Sequence, residues 1–572
     1  MKHSDPCDFA HLLQESTRPT AFPFALPDTY AIPVIQTHAS AVLLTPELVY
    51  KLKKPRNFGF FDYSTSTLRR HFCQQEVAVN QLLAPGIYLG VAPVLLSRDG
   101  HVHFGATYEA DEVPAPGTTL ADGSVVDYAV VMKRLPDEAT LAERVRSGTA
   151  TPALMAEIGR FLASFHAATA TDERIARFGE LAAIRTNWEE NFVQMKPYCD
   201  RTLDTATYDR IVAYACRFMA GRATLFEQRI HNGRIRDCHG DLRLQHIYLL
   251  DEQTAINYQG PRLVILDRIE FNERFRYGDV ASEVAFLTME LEAAGRPDLA
   301  STFVQTYVEA SGDETLRDLL PFYSCYRACV RGKVSSFQLD EPEVPAEQRQ
   351  EAQQAAIHLF TLAARYAHYP AQPLLILVGG LMGTGKSTIA LALQRELGWA
   401  YISSDIERKR LAHIDPTQSQ TSAFGQGLYS TEWTTRTYDA LRQRAASILA
   451  EGRSVLVDAT FMRRADRLAM AREAARHDAT MFFVECRCPR ERALERLAQR
   501  QRWQTVPPYA TREQASRASD ARPDLFDDQR NRWEPFMPDE ERDSQHIIVD
   551  TTSDLTDCIA VVLDALDIPR WS

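Results

Sequence analysis

The chain has 572 residues, 45% hydrophobic and 24% charged, with a net charge of -12. That length exceeds one hydrophobic core, so two or more domains are expected, and the balance is that of a soluble globular protein. The acidic charge argues against broad non-specific binding to nucleic acid, though not against a local basic groove.

No apolar run is long enough to cross a bilayer, and the polar start MKHSDPCDFAHLLQE lacks a signal-peptide core; the cytoplasm is the expected compartment. The 10 cysteines are scattered, which suits reduced thiols. Cys325/Cys329 and Cys486/Cys488 are close pairs without a matching second pair, which argues against zinc.

Residues 1–30 read as an arm, either loose or with a short helix over Phe9–Gln14. From Ala41, AVLLTPELVYKLKK has the alternation of a hairpin. Lys51 and Lys53 stand two apart and so share one face of its strand. HFCQQEVAVNQLL, His71 to Leu83, reads as an amphipathic helix carrying Glu76. Strands are expected at Tyr88–Leu96 and Tyr128–Met132, the latter running into KRLP, a hinge. The text turns helical from Thr151, and MAEIGRFLASFHAATA has the spacing of a buried helix. CHGDLRLQHIYLL, Cys238 to Leu250, is parted by a turn-like DEQTAINYQG from the strand segment RLVILDRIEF, which carries Asp267. Further helices run to about Arg365, with Asp340–Gln353 a loop leading into the last. Pro-Ala-Gln-Pro around Tyr369–Pro373 marks a boundary.

Beyond it, strands are expected at 374–378, 399–403, 454–458, 480–486 and 546–549. Helices are expected at 385–397, 431–451, 464–476 and 489–502. This alternation predicts a parallel sheet with helices on both faces. The run Leu374–Val378 breaks at Gly379-Gly380. Gly380-Leu-Met-Gly383-Thr384-Gly385-Lys386-Ser387 then fits G-x-x-x-x-G-K-[ST], and a helix-forming stretch opens at Thr388. Strand, glycine loop and helix is the context the motif requires. Backbone N–H groups and a helix N-terminus would cradle phosphates there. Gly380, Gly383, Thr384, Gly385, Lys386, Ser387 and Thr388 are the expected nucleotide-binding residues. Lys386 would bridge the terminal phosphates and Ser387 would ligate Mg²⁺.

Asp405 follows the strand AYISS. Ligands of open α/β sheets bind beyond the carboxyl ends of the strands, so Asp405 is placed to meet an acceptor hydroxyl. Arg408, three residues on, shares its helix face. Asp458 ends the strand SVLVD as a Walker B-type metal aspartate or a second acceptor-side carboxylate. Arg496 and Arg500 lie four apart on PRERALERLAQRQRW, as lid arginines or as part of a solvated Arg/Glu face.

His239-Gly-Asp241, with His246 five residues later, resembles the catalytic loop of protein-kinase-like phosphotransferases. The aminoglycoside and choline phosphotransferases, which use H-G-D, are the nearest in pattern. The resemblance covers roughly 40–340. It implies that Asp241 orients the acceptor and takes its proton, that Asp267 binds the metal, that Lys51 or Lys53 pairs with the phosphates, and that Glu76 holds that lysine. The family has asparagine where this chain has His246. Imidazole is a poor ligand for Mg²⁺, so either His246, a candidate metal residue by its position in the motif, plays another role or the second metal is held differently. Gly278-Asp279 resembles a motif whose aspartate braces the catalytic loop.

The second half, over about 373–550, resembles P-loop kinases: small-molecule kinases, zeta-type toxins and polynucleotide 5′-kinases. The whole chain resembles bacterial fusions of an aminoglycoside-phosphotransferase-like domain with a P-loop kinase or ATPase domain. The implied fold is a mixed α/β and α+β multidomain chain, with a kinase-like bilobal fold followed by a doubly wound P-loop domain. The expected limits are an arm at 1–30, a kinase-like domain at 31–340, a helical linker at 341–372 and a P-loop domain at 373–572. The implied activity is a bifunctional phosphotransferase using ATP, or GTP, with Mg²⁺ at two separate sites. Hydroxyls of small molecules are the expected acceptors, with a nucleic-acid 5′ end less favoured and no membrane partner. A regulatory, non-catalytic N-terminal domain is the other alternative.

Overall fold

In the computed structural model the described residues are 8–568, apart from 38, 58, 60, 342–343, 415–426, 504–522 and 541–543. They form a mixed α/β multidomain chain. It divides into two compact units, residues 1–178 with 235–312 and residues 179–234 with 313–572. The limits expected at 340 and 373 follow the chain; the units follow packing, which groups the helices of 179–234 with the C-terminal half.

The first unit is built on an antiparallel sheet. Its order is Val34–Gln36, Ser40–Leu44, Leu48–Lys53, Gly123–Lys133, Tyr88–Leu96, Val102–Phe104, with Thr119–Leu120 folded back on Gly123–Lys133. Strand alternation sorts its two faces. Tyr50 and Leu52 join a core with Leu12, Phe22 and Leu43. Of the N-terminal arm, the described residues include the helix Phe9–Ser16, whose Leu12 is buried in that core. On the other face the helix Ser66–Asn80 lays Cys73 and Val77 against Val91, Tyr128 and Val130. Thr65 caps it by accepting from Leu68 N.

Two short antiparallel ribbons carry the loops that follow. Ile235–Asp237 pairs with Tyr277–Asp279, and Ile247–Leu249 pairs with Leu263–Ile265. Between the latter two, the stretch expected as a turn is the helix Glu252–Tyr258. Asp251 caps its start at 2.7 Å from Thr254 N, and Gln259, at φ 55°, ends it. Caps with turn-like residue types enclose a helix of under two turns, so composition alone reads as a turn.

The second unit holds the helices Leu181–Met195, Thr205–Gly221, Ala223–His231, Leu316–Phe337 and Ala346–Tyr366, and a five-stranded parallel sheet. The strand order is Ala400–Ser403, Val455–Asp458, Leu374–Gly379, Thr480–Arg487, Gln545–Asp550. Along the central strand Ile376 and Val378 face one core and Leu375 and Leu377 the other, as a sheet covered on both faces requires. Arg222 ties the helices to this sheet. Its guanidinium donates to Gly452 O at 2.9 Å, Ala371 O at 3.2 Å and Gln372 O at 3.3 Å. No helix among the described residues is long and apolar enough to cross a membrane.

Candidate functional site

Each unit brings a lysine and several carboxylates together. In the first, Lys51 and Lys53 point from one strand face toward Glu76 on the packed helix, and each takes one of its carboxylate oxygens, at 2.8 and 2.7 Å. Beyond that they differ. Lys51 also meets Asp267 Oδ1 at 2.5 Å, and 15% of its side chain is exposed. Lys53, with 1% exposed, pairs instead with Glu270 and lies 4.7 Å over the ring of Tyr63. Tyr63 donates to the same Glu270 carboxylate at 2.8 Å. Burial works against the charge on both lysines. For Lys51, Asp267 and Glu76 outweigh it; for Lys53, Glu270 and Glu76 do. Both pKa values end well above the ordinary lysine range. Desolvation works against the Asp267 carboxylate, although its side chain is 46% exposed, and Lys51 more than reverses it, leaving its pKa below the usual carboxylate range.

Asp267 sits just after the strand Leu263–Ile265 with φ 64°, a left-handed conformation that a non-glycine residue adopts at a cost. Its N–H donates to Tyr88 Oη at 3.1 Å. His246 stands between the two aspartates: Nδ1 is 3.7 Å from Asp241 Oδ2 and Nε2 is 3.7 Å from Asp267 Oδ2.

The loop His239–Asp241 is held from behind by Glu283, which accepts from His239 N at 3.0 Å and Gly240 N at 2.7 Å. Sequence reading assigned that bracing role to Asp279. In the structure Asp279 caps the helix Val280–Ala293. Glu283 also meets His166 Nε2 at 2.7 Å, and His166 Nδ1 meets Tyr307 Oη at 2.7 Å. Burial opposes the charge on Glu283, but His166 and the loop N–H groups bring its pKa down to about 2. Cys238 lies close enough to His166 and Glu283 to suggest a metal triad. The hydrogen bonds already satisfy the histidine and the carboxylate, so the cluster reads as a structural brace. His239 is fully buried, and burial drives its pKa to about 4. It bridges Leu266 O, 2.8 Å from Nε2, and Asp241 N, 3.2 Å from Nδ1. The neutral ring thus donates to the carbonyl and accepts from the amide, which sets the backbone of Asp241.

In the second unit the loop Gly380–Gly385 joins the central strand to the helix Lys386–Leu397. Two of its glycines are required. At Gly380 (φ 133°) a Cβ would stand 2.4 Å from Cys486 O, and at Gly383 (φ 77°) 2.6 Å from Ala493 O. Lys386 Nζ donates to Leu381 O at 2.8 Å, so its ammonium curls over the loop. Thr384 Oγ1 donates to the same carbonyl at 2.7 Å. Thr388, in the first turn of the helix, is exposed.

Asp458 ends the neighbouring strand and is buried. It accepts a hydrogen bond from Tyr401 Oη at 2.9 Å, and Ser387 lies near enough to act on its charge. Burial raises its pKa, Asp405 adds to that, and Lys386 and Ser387 oppose it. Asp405 lies in the first turn of the helix Ser404–Leu411, close enough for that repulsion to register. Arg408, on the same helix, is buried and its charge acts on Tyr438. The structure therefore gathers Lys386, Ser387, Asp458 and Asp405 at the carboxyl ends of the strands. Arg496, on the helix Arg490–Trp503, donates to Thr551 Oγ1 at 3.0 Å and Thr551 O at 2.6 Å beside Gly385. The side chain of Arg500 lies outside the described residues.

Sequence reading missed Glu270, Glu283, Tyr401, Thr551 and Gln529. Gln529 accepts from Met382 N at 2.6 Å within the phosphate loop. Glu270 had a signal, since it lies three residues after Asp267 in LDRIE. The others are joined to the site only by folding.

Residues 375–524 match the sequence model of a family described as an AAA domain. The chain is 32% identical over 459 residues to the uncharacterised protein Rv2004c of Mycobacterium tuberculosis, covering 80% of this chain and 83% of the relative. The uncharacterised protein Mb2027c of Mycobacterium bovis matches equally, at 32% over the same length. Among solved structures, a choline/ethanolamine kinase family protein from Mesorhizobium loti aligns with 62% of this chain and 99% of its own, at TM-score 0.35 and 12% identity. A sugar kinase from Janibacter aligns with 34% of this chain and 95% of its own, at TM-score 0.24 and 17% identity.

Proposed function

Because the chain belongs to the family of these mycobacterial proteins, a fusion of a kinase-like domain with a P-loop domain, we propose that it is a phosphotransferase with two separate nucleotide sites, each transferring the γ-phosphoryl group to a small-molecule hydroxyl. ATP is the expected donor, with GTP the alternative. The observation that carries this reading is the duplication: each unit brings a lysine together with its own aspartates, Lys51 with Asp267 and Asp241 around His246 in the first, and Lys386 with Asp458 and Asp405 in the second. A single composite site would need one set.

In the second unit the Ser387 hydroxyl and the buried carboxylate of Asp458 are the hard oxygen donors Mg²⁺ favours, and the residues fit that ion. Bound with the nucleotide, Mg²⁺ would neutralise charge on the β- and γ-phosphates. Lys386, released from Leu381 O, would take those phosphates, and the loop N–H groups would hold their oxygens. Asp405 would accept the proton of the acceptor hydroxyl, with Arg408 and Arg496 as the flanking cations. In the first unit Lys51 is the phosphate-side lysine, because it alone of the pair reaches Asp267 and is partly exposed. Lys53 and Glu76 hold the carboxylate frame around it. Asp241 would orient the acceptor. The donors there, Asp267 and His246, fit Mg²⁺ poorly, because one is an imidazole nitrogen.

The test is transfer from γ-labelled ATP into a metabolite extract by the full chain. Asp241→Asn and Asp405→Asn should each remove a different labelled product. Loss of every product with Asp405→Asn, and of none with Asp241→Asn, would overturn the two-enzyme reading.

A further inference from the structure

His246 Nδ1 lies 2.9 Å from the main-chain oxygen of Asp241. A carbonyl only accepts, so Nδ1 carries a proton; in the neutral ring Nε2 then keeps its lone pair. Nε2 is turned toward Asp267. Lys51 occupies Oδ1 of that carboxylate, and Nε2 stands 3.7 Å from Oδ2. That distance is too long for a hydrogen bond, yet two atoms each about 2.1 Å from one cation can span it. The ring is held as well as aimed: it is 8% exposed, and Nε2 accepts from the side-chain amide of Gln245 at 3.2 Å, a bond that a cation at Nε2 would displace. An imidazole that gives one N–H to a main-chain carbonyl and points its other nitrogen at a carboxylate is oriented as metal-ligating histidines are.

We propose that the nucleotide site of the first unit takes a first-row divalent cation that tolerates an imidazole ligand, with Mn²⁺ as its probe, in preference to Mg²⁺, with His246 Nε2 and Asp267 Oδ2 as its protein ligands. This rests on the reading of that site as nucleotide-binding. Mg²⁺ requires oxygen donors in near-octahedral order and parts reluctantly with water. First-row transition ions accept imidazole readily, and Mn²⁺ also suits the carboxylate and phosphate oxygens that a nucleotide complex presents.

The experiment uses the full chain carrying Lys386→Ala, which silences the P-loop site, loaded with a non-hydrolysable ATP analogue and Mn²⁺. Pulsed electron paramagnetic resonance should detect coupling of the bound Mn²⁺ to an imidazole nitrogen. His246→Asn, which replaces that nitrogen with an amide oxygen, should abolish the coupling. It should also lower the ratio of Mn²⁺ to Mg²⁺ affinity by roughly 10- to 100-fold, the scale on which single changes around a metal move affinity. Analogue binding is measured in the same samples. Bound analogue with no nitrogen coupling, or a metal preference unchanged in His246→Asn, overturns the assignment of His246 while leaving the nucleotide site standing. No analogue bound in the Lys386→Ala chain overturns both.

Discussion

The ammonium of Lys51 lies 2.5 Å from the carboxylate of Asp267, across 216 residues of chain. That contact separates two lysines that strand periodicity alone makes equivalent. Lys51→Ala should weaken nucleotide binding in the first unit and lower its transfer rate on the order of 10²-fold, the loss typical of a single electrostatic group in a transition state. Lys53→Ala should act on folding instead. It leaves Glu76 and Glu270 buried with one fewer cation, at a cost of about 3–5 kcal/mol. Nucleotide titration and denaturant melts on both variants check this; equal effects of the two would refute the division of roles.

Arg222, 3% exposed, is the anchor between the helices and the parallel sheet of the second unit. Asp318, held by Arg453 at 3.0 Å, lies 3.8 Å from it. Arg222→Ala should strip the carbonyls of Ala371, Gln372 and Gly452 of their donor and cost about 3–5 kcal/mol. Thermal melts followed in the second unit should show the drop; a melt within about 0.5 kcal/mol of wild type, the range of ordinary surface substitutions, would contradict it.

Acid should loosen the first unit before its carboxylates are neutralised. The His239 pKa sits near 4 in the fold against an ordinary 6.5. The unfolded chain therefore takes up its proton first, and the stability this residue contributes is complete above pH 6.5 and lost as pH falls towards 4. The loss is about 3 kcal/mol. Glu283, near 2 in the fold against 4.5, adds its own loss only below pH 4.5. Melts of wild type and His239→Gln from pH 6.5 down to pH 4.5 should show a steeper slope in wild type; parallel slopes would rule out the titration of His239 as the cause.

What the sequence made legible was what short-range pattern encodes. Leu374–Val378 followed by the glycine loop announced the strand, the loop and the helix Lys386–Leu397, and the strand-helix alternation after it gave the parallel sheet. Lys51 and Lys53 could not be told apart, because period 2 places both on one face and only their distant partners differ. The hold of Glu283 on Gly240 spans 43 residues and that of Gln529 on Met382 spans 147. Such contacts carry no local periodicity, so no reading of neighbouring residues finds them. The helix Glu252–Tyr258 was hidden for the opposite reason: its caps are made of the residues that also make turns.

The most direct test of the account is the number of nucleotides that the full chain binds at equilibrium, measured with a non-hydrolysable ATP analogue in the presence of Mg²⁺ and Mn²⁺. Two per chain are predicted. Lys386→Ala should leave one, Lys51→Ala should leave the other, and the double variant should leave none. One per chain in the wild type, abolished by Lys386→Ala and untouched by Lys51→Ala, would contradict it.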